Sequence, residues 1–269
     1  MVTLDPAASV IGSARTIVIK IGSSILVDDD HHAVNAGWLT GIAEDIAALQ
    51  RDGKNVVVVS SGAIALGSHV LGIDGRVLAL EEKQAAAAAG QVVLAHAWSA
   101  ALAAHDIRAA QILLSPDDTE TRRRHLNARA TMSTLISLGA VPVVNENDTV
   151  ATAEIRFGDN DRLAARVAAM ISADLLILLS DVDGLYSANP RNTGDATHIA
   201  EVTALSDDIL NMAGTANADY ASGGMVTKLE AARIAMAAGC GMIICDGRVQ
   251  QPLSRLADGG RHTMFRPED

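Results

Sequence analysis

The chain has 269 residues and a formal net charge of −11 at neutral pH, which suits one large α/β domain or two lobes. That charge argues against a nucleic-acid or anionic-membrane partner, because little here would neutralise a phosphate backbone. Hydrophobic residues make up 49% of the chain and aromatic ones 2%; the core is expected to be aliphatic, and stacking platforms for single-stranded nucleic acid are missing.

The first residues include Asp5 and Pro6 and lack the charged start and apolar core of a signal peptide. No apolar run is expected to reach the length of a membrane span, so a cytoplasmic location is expected. Short apolar runs predict strands at 16–21, 55–60, 108–114, 141–145, 174–180 and 242–245. Helical spacing predicts helices over 33–51, 78–105, 121–138, 160–172 and 224–238. Strands that alternate with helices imply βαβ units and a mostly parallel sheet. The Ala run at 85–89 predicts a helix packed closely against a neighbour, and residues 150–157 interleave polar and apolar side chains as a solvent-facing hairpin does. No Pro-, Gly- or Ser-rich linker divides the chain. It is expected to form two lobes of one domain, about 14–172 and 173–269.

Candidate functional residues gather at strand ends. Lys20 closes the first predicted strand and runs into Ile21-Gly22-Ser23-Ser24, and Ser60-Ser61-Gly62-Ala63 repeats the theme after the second. Between Asn145 and Asp161 lie five carboxylates (Glu146, Asp148, Glu154, Asp159, Asp161) and three Asn side chains (Asn145, Asn147, Asn160). They start where a buried strand ends and finish where a helix begins, the place where open α/β sheets bind ligands. Turn and cap chemistry accounts for Asp159 alone, but poorly for eight such residues. Ser180-Asp181-Val182-Asp183-Gly184 follows another strand; its glycine falls at the fourth position, so a calcium loop is not expected. Ser222-Gly223-Gly224-Met225-Val226-Thr227-Lys228 is a glycine loop that enters a helix.

The chain uses seventeen arginines and four lysines, so each lysine invites a reason. Lys54 and Lys83 sit in polar surroundings and read as solvated. Lys20 and Lys228 stand beside glycine loops, where a backbone can approach an anion and a helix N-terminus offers free N–H groups. A compact ammonium there acts as a point charge on a phosphoryl group. The Arg122-Arg123-Arg124 run reads as a solvated helix face. Cys240 and Cys245 read as buried thiols. The eight histidines show no metal-ligand spacing, and no metal site is expected. Walker, dinucleotide-fingerprint, protein-kinase and nucleophile-elbow motifs are absent from the sequence.

What remains, phosphate chemistry done by glycine loops and lysines, resembles the amino acid kinase family. The matching segments are Val18-Ile-Lys20-Ile-Gly-Ser-Ser24, Val59-Ser-Ser-Gly-Ala-Ile64, Leu126-Asn-Ala-Arg129, Val144-Asn-Glu-Asn-Asp-Thr-Val-Ala151, Glu154-Ile-Arg-Phe-Gly-Asp-Asn-Asp161, Ser180-Asp-Val-Asp-Gly-Leu-Tyr186 and Gly223-Gly-Met-Val-Thr-Lys228. The wording is closest to members that phosphorylate glutamate, although Asp219-Tyr220-Ala221-Ser222 stands where family members commonly have Gly-Thr.

The resemblance implies a three-layer α/β sandwich with a central, mostly parallel sheet. It implies transfer of phosphate from ATP to the side-chain carboxylate of L-glutamate, the first step of proline synthesis, with Mg²⁺ carried by the nucleotide. Lys20, Asp161 and Lys228 would be catalytic: the lysines on the phosphates, Asp161 orienting both. Ser60, Asp148 and Asn160 would hold the amino acid. Ser180, Asp181, Ser222, Gly223, Gly224, Met225, Val226, Thr227 and Lys228 would bind ATP. The first lobe would take glutamate and the second ATP. L-proline as feedback inhibitor, a γ-glutamyl phosphate reductase as pathway partner and a homo-oligomer are implied as well. The chain is expected to hold the kinase domain alone, without the C-terminal PUA domain of many relatives. Rival acceptors are N-acetylglutamate, aspartate or a nucleoside monophosphate; the rival from another class is a catalytically silent sensor on the same fold.

Overall fold

A computed structural model describes residues 6–28, 32–150, 159–188, 195–215 and 224–267. The hairpin expected over 150–157, apart from Val150, and the loop residues Ser222 and Gly223 lie outside them. The chain forms two compact units: Met1–Lys20 with Arg156–Asp269, and Ile21–Ile155. The division therefore falls near residue 155 and not near 172, because the helix Asp159–Ile171 packs on the helix Met225–Ala237 of the later half.

In the first unit the strand order is Glu201–Val202, His262–Phe265, Gly241–Asp246, Leu175–Ser180, Thr16–Ile21. Gly241–Asp246 runs parallel to Leu175–Ser180, in register from Gly241 opposite Leu175 to Asp246 opposite Ser180. Every residue of Leu175–Ser180 is buried, as in parallel strands covered by helices on both faces. Asp174 aligns this strand with the first. Its carboxylate accepts from the backbone N–H groups of Arg15 (2.9 Å) and Thr16 (2.8 Å), and its own N–H donates to the Thr16 carbonyl (3.0 Å). His262–Phe265, which the apolar runs do not predict, adds antiparallel to Gly241–Asp246. The thiols of Cys240 and Cys245 are buried as expected, and burial pushes both up to about 12.

The second unit contributes Asn55–Val59, Val141–Glu146 and Ala109–Leu114, in that order and all parallel. The helix Ala36–Arg51 starts where the Asn35 side chain accepts from the Trp38 N–H (3.1 Å), a side-chain cap for an otherwise unpaired donor. Its buried face carries Trp38, Leu39, Ile42, Ala43, Ile46 and Leu49, spaced at helical period. The short helix Ala63–Val70 lies against Leu80–Ala103 with backbone touching backbone. A Cβ on Gly67 would stand 1.7 Å from the Ala86 carbonyl oxygen, and one on Gly90 1.8 Å from that of Ala63. Leu80–Ala103 has 24 residues and is, by length and composition alone, long enough to cross a membrane, contrary to the expectation that no run would be. In this fold its Ala86, Ala87, Gly90, Leu94, Trp98 and Leu102 are buried, which makes it a core helix of the unit.

The two sets of strands, mostly parallel and flanked by helices, agree with the fold expected. The core is aliphatic as expected, with Trp38, Trp98 and Phe265 fully buried as well.

Candidate active site

The first unit gathers Lys20, Asp161 and Lys228 from three elements. Lys20 stands next to last on the strand Thr16–Ile21, Asp161 in the first turn of Asp159–Ile171, and Lys228 in the first turns of Met225–Ala237. Lys20 Nζ lies 2.5 Å from Asp161 Oδ1, and Lys228 Nζ 3.2 Å from Asp161 Oδ2. Thr227 Oγ1 is 3.0 Å from the same Oδ2 and 2.9 Å from the Gly224 carbonyl; its one proton serves one acceptor at a time. All three charged residues are buried, at 7%, 0% and 6% exposure.

A buried charge persists only where it is paired. Burial pushes the Asp161 carboxyl up, but Lys20 and then Lys228 outweigh this and bring it to about 2. Lys20 is lowered from the ordinary lysine value, by burial first; Asp161 opposes the shift, Lys228 adds to it, and Asp181 pulls weakly the other way. The result is one carboxylate with two ammoniums, a net positive charge held away from bulk water. Such a site suits a polyanion, because dipoles and charges fixed in place need no rearrangement as new charge arrives.

The edge beside this cluster belongs to the same unit. Ser180, buried, ends Leu175–Ser180 and its Oγ donates to Asp181 Oδ1 (3.2 Å). Asp246, opposite Ser180 in register, holds Arg248 through two side-chain bonds of 2.9 and 2.8 Å. Gly224 is the N-cap residue of Met225–Ala237, so Met225, Val226 and Thr227 form the first turn; the Thr227 N–H donates to the Gly224 carbonyl (3.1 Å), and the helix N-terminus favours an anion.

In the second unit, polar side chains stand at the carboxyl ends of adjacent parallel strands. Ser60 follows Asn55–Val59 and is fully buried, and its N–H donates to the Val144 carbonyl (2.8 Å). Trp98 Nε1 donates to Ser60 Oγ (3.1 Å). Asn145, on Val141–Glu146, donates from Nδ2 to Gln91 Oε1 (2.8 Å). Trp98 and Gln91 both come from Leu80–Ala103, so one helix braces two strand-end residues. Asp148 is buried in the short 3₁₀ turn Asp148–Val150. Gly62, between Ser60 and the helix Ala63–Val70, has φ +100, and a Cβ there would meet Val27 at 2.9 Å. Glycine is required on both counts.

The structure thus brings Lys20, Asp161, Lys228 and Thr227 together, with Ser180, Asp181 and Gly224–Thr227 in the same unit. Of the three residues expected to hold the amino acid, Ser60 and Asp148 belong to the second unit and Asn160 to the first. Glu154, Ser222 and Gly223 lie outside the described residues. Sequence reasoning missed Trp98 and Gln91. In a chain so poor in aromatics a tryptophan is a signal, but a lone one on a helix reads as core until its N–H is seen to have a target.

A mostly parallel sheet under helices, with paired ammoniums and a glycine-capped helix N-terminus at one edge, defines a phosphoryl-transfer fold. Residues 15–246 match the amino acid kinase family, and the chain belongs to that family. It is 59% identical to the glutamate 5-kinase of Paramagnetospirillum magneticum over 96% of its own length and 70% of that protein's. It is 56% identical to the glutamate 5-kinase of Gluconobacter oxydans, over 98% and 70%. Among solved structures it resembles the UMP kinase from Bacillus anthracis at 14% identity, with a TM-score of 0.62 over 95% of this chain and 97% of that one. The UMP kinase from Ureaplasma parvum is similar at 17% identity, with a TM-score of 0.61 over 94% and 98%. At those identities the likeness concerns the fold alone.

Proposed function

We propose that this chain phosphorylates the side-chain carboxylate of L-glutamate with ATP, giving γ-glutamyl phosphate and ADP, the first step of proline biosynthesis. The acceptor rests on relatives at 56–59% identity named glutamate 5-kinase, and the chemistry rests on two buried ammoniums sharing the oxygens of Asp161. A glutamate side chain is ionised at neutral pH, so the nucleophile needs no general base. One carboxylate oxygen forms the new bond to the γ-phosphorus, the bond to the bridging oxygen breaks, and the electron pair leaves on ADP. What such a transfer needs is alignment and charge neutralisation.

In this reading Lys20 and Lys228 neutralise the transferring group and the leaving phosphates, and Asp161 fixes their direction. Ser180, Asp181 and residues 222–228 bind the nucleotide. Ser60, Asp148 and Asn160 hold the amino acid, with Asp148 accepting from its ammonium group. Mg²⁺ enters on the nucleotide phosphates, needing few protein ligands; both Asp161 oxygens are already engaged by ammoniums. The reading extends to inhibition by L-proline at the glutamate site, a homo-oligomer, a cytoplasmic location and a γ-glutamyl phosphate reductase that takes the product onward.

ADP release from the purified chain with L-glutamate, N-acetylglutamate, aspartate or UMP as acceptor tests this. Turnover with glutamate well above the others is expected. Preference for another acceptor would reassign the enzyme within its family, and silence with all of them would make it a sensor. Full activity with L-proline in large excess over glutamate would remove the feedback part.

A further inference from the structure

The histidines carry no metal spacing along the sequence, yet the fold draws two of them to one carboxylate. His32 lies in the turn before the strand Ala33–Val34, His69 near the end of the helix Ala63–Val70, and Asp74 in the segment that follows that helix. The two imidazoles are stacked, with ring centres 4.9 Å apart and planes 9° from parallel. Both turn the same atom to the same oxygen: His69 Nδ1 is 3.0 Å and His32 Nδ1 3.8 Å from Asp74 Oδ2. All three ligand atoms lie within 4.8 Å of one another, and all three residues are exposed. His32 holds this place with φ +49, a left-handed conformation that costs a non-glycine residue energy and persists where the surroundings enforce it.

We propose that His32, His69 and Asp74 form a surface site for a divalent transition metal, zinc first, independent of the phosphoryl-transfer reaction. Zinc–nitrogen and zinc–oxygen bonds are about 2.0–2.2 Å, so two ligands of one tetrahedral ion stand about 3.4 Å apart, between the two separations seen here. Two imidazoles and a carboxylate are a donor set that suits zinc, nickel or copper better than magnesium or calcium, which favour oxygen. Three protein ligands leave a fourth position for water. A hydrogen-bonded His–Asp pair accounts for His69 with Asp74 but leaves His32, stacked and aimed at the same oxygen, without a reason. The ion would clip the end of the helix Ala63–Val70 to the turn at His32, two points 37 positions apart in sequence, and its effect would be on stability.

The test is calorimetric titration of the EDTA-treated, dialysed full chain with Zn²⁺, beside His32→Ala, His69→Ala, Asp74→Asn and, as a control outside the cluster, His96→Ala. We expect saturable binding of a single ion per chain. Each of the two cluster histidine changes should weaken binding at least as much as the roughly 10–100-fold that loss of an outer-shell partner costs. His96→Ala should bind as the parent does. Co²⁺ should give the visible absorption of a tetrahedral centre, and Tm should rise with added zinc in the parent and in His96→Ala, and less or not at all in the cluster variants, as mass action requires. No saturable binding, or binding that survives both His32→Ala and His69→Ala, would overturn the proposal and leave the cluster a hydrogen-bonded pair. All four positions are exposed and circular dichroism confirms folding, so the variants report on the site. The acceptor screen assigns no role to His32, His69 or Asp74, so either reading can fail without the other.

Discussion

Asp161 carries an ammonium on each oxygen and so pairs two buried lysines. If these residues serve one transition state, their losses cannot add. Lys20→Ala and Lys228→Ala should each lower kcat about 10²–10³-fold, the cost of removing one preorganised donor. Lys228→Arg should rescue poorly, because a planar fork places its charge elsewhere. The double change Lys228→Ala with Asp161→Asn should cost less than the two singles combined; strict additivity, with folding confirmed by circular dichroism, would mean that Asp161 acts apart from Lys228. Trp98 poses a separate question. Trp98→Phe keeps most of the packing and removes the donor to Ser60 Oγ, a bond worth about 0.5–1.5 kcal/mol. The KM for glutamate should rise about two- to tenfold while that for ATP stays put. Equal changes in both would make Trp98 a packing residue only. The lysine pair was legible in the sequence because lysine is rare here and both copies adjoin glycines. Trp98 was not, because its donor's target stands at the end of a strand 38 positions earlier in the chain.

At the scale of elements, the crossing of Ala63–Val70 with Leu80–Ala103 sets where Trp98 and Gln91 reach. It has no slack: the clash partners of a Cβ on Gly67 or Gly90 are main-chain atoms, and no rotamer relieves them. Overpacking usually costs about 1–3 kcal/mol, and Gly90→Ala should reach at least the top of that range. Gly12→Ala, on a helix where a Cβ meets nothing within 4 Å, should be neutral or stabilise by about 0.4–1 kcal/mol. Urea denaturation of both decides it, and equal midpoints would show that the crossing can open cheaply. The Ala run at 85–89 announced a close-packed helix, but nothing in it named the partner. The eight-residue helix Ala63–Val70 is too short to show a period, and only the loop before it drew notice. His262–Phe265 escaped for a similar reason: four residues, half of them polar, are a strand because Gly241–Asp246 pairs with them on one side and Glu201–Val202 on the other. Long apolar runs carry their own signal; short elements borrow theirs from neighbours.

Across the whole molecule the net charge of −11 conceals carboxyls that the fold holds below their ordinary values. Asp161 is the buried one, with Asp118 and Asp246 more open and Glu82, on the surface, brought to about 2 by its hydrogen bond from Arg76. A folded value below the unfolded one means that the unfolded chain takes up protons first, so acid favours unfolding. For Asp161 the contribution is fully present above its ordinary value of 3.8 and is lost as pH falls toward about 2. Integrated over that window it is on the order of 2 kcal/mol. Asp161→Asn removes this share and leaves two ammoniums buried without their anion, so the variant should be less stable than the parent at neutral pH. The gap between them should stay level down to about pH 4 and then narrow, because the parent's own carboxylate is being neutralised. Urea unfolding free energies of both chains at neutral pH and at steps through the acid window would trace this. Curves that run parallel to the lowest pH would mean that Asp161 is not the anion holding the two lysines in place, and the charge balance drawn for the site would have to be rebuilt around another group.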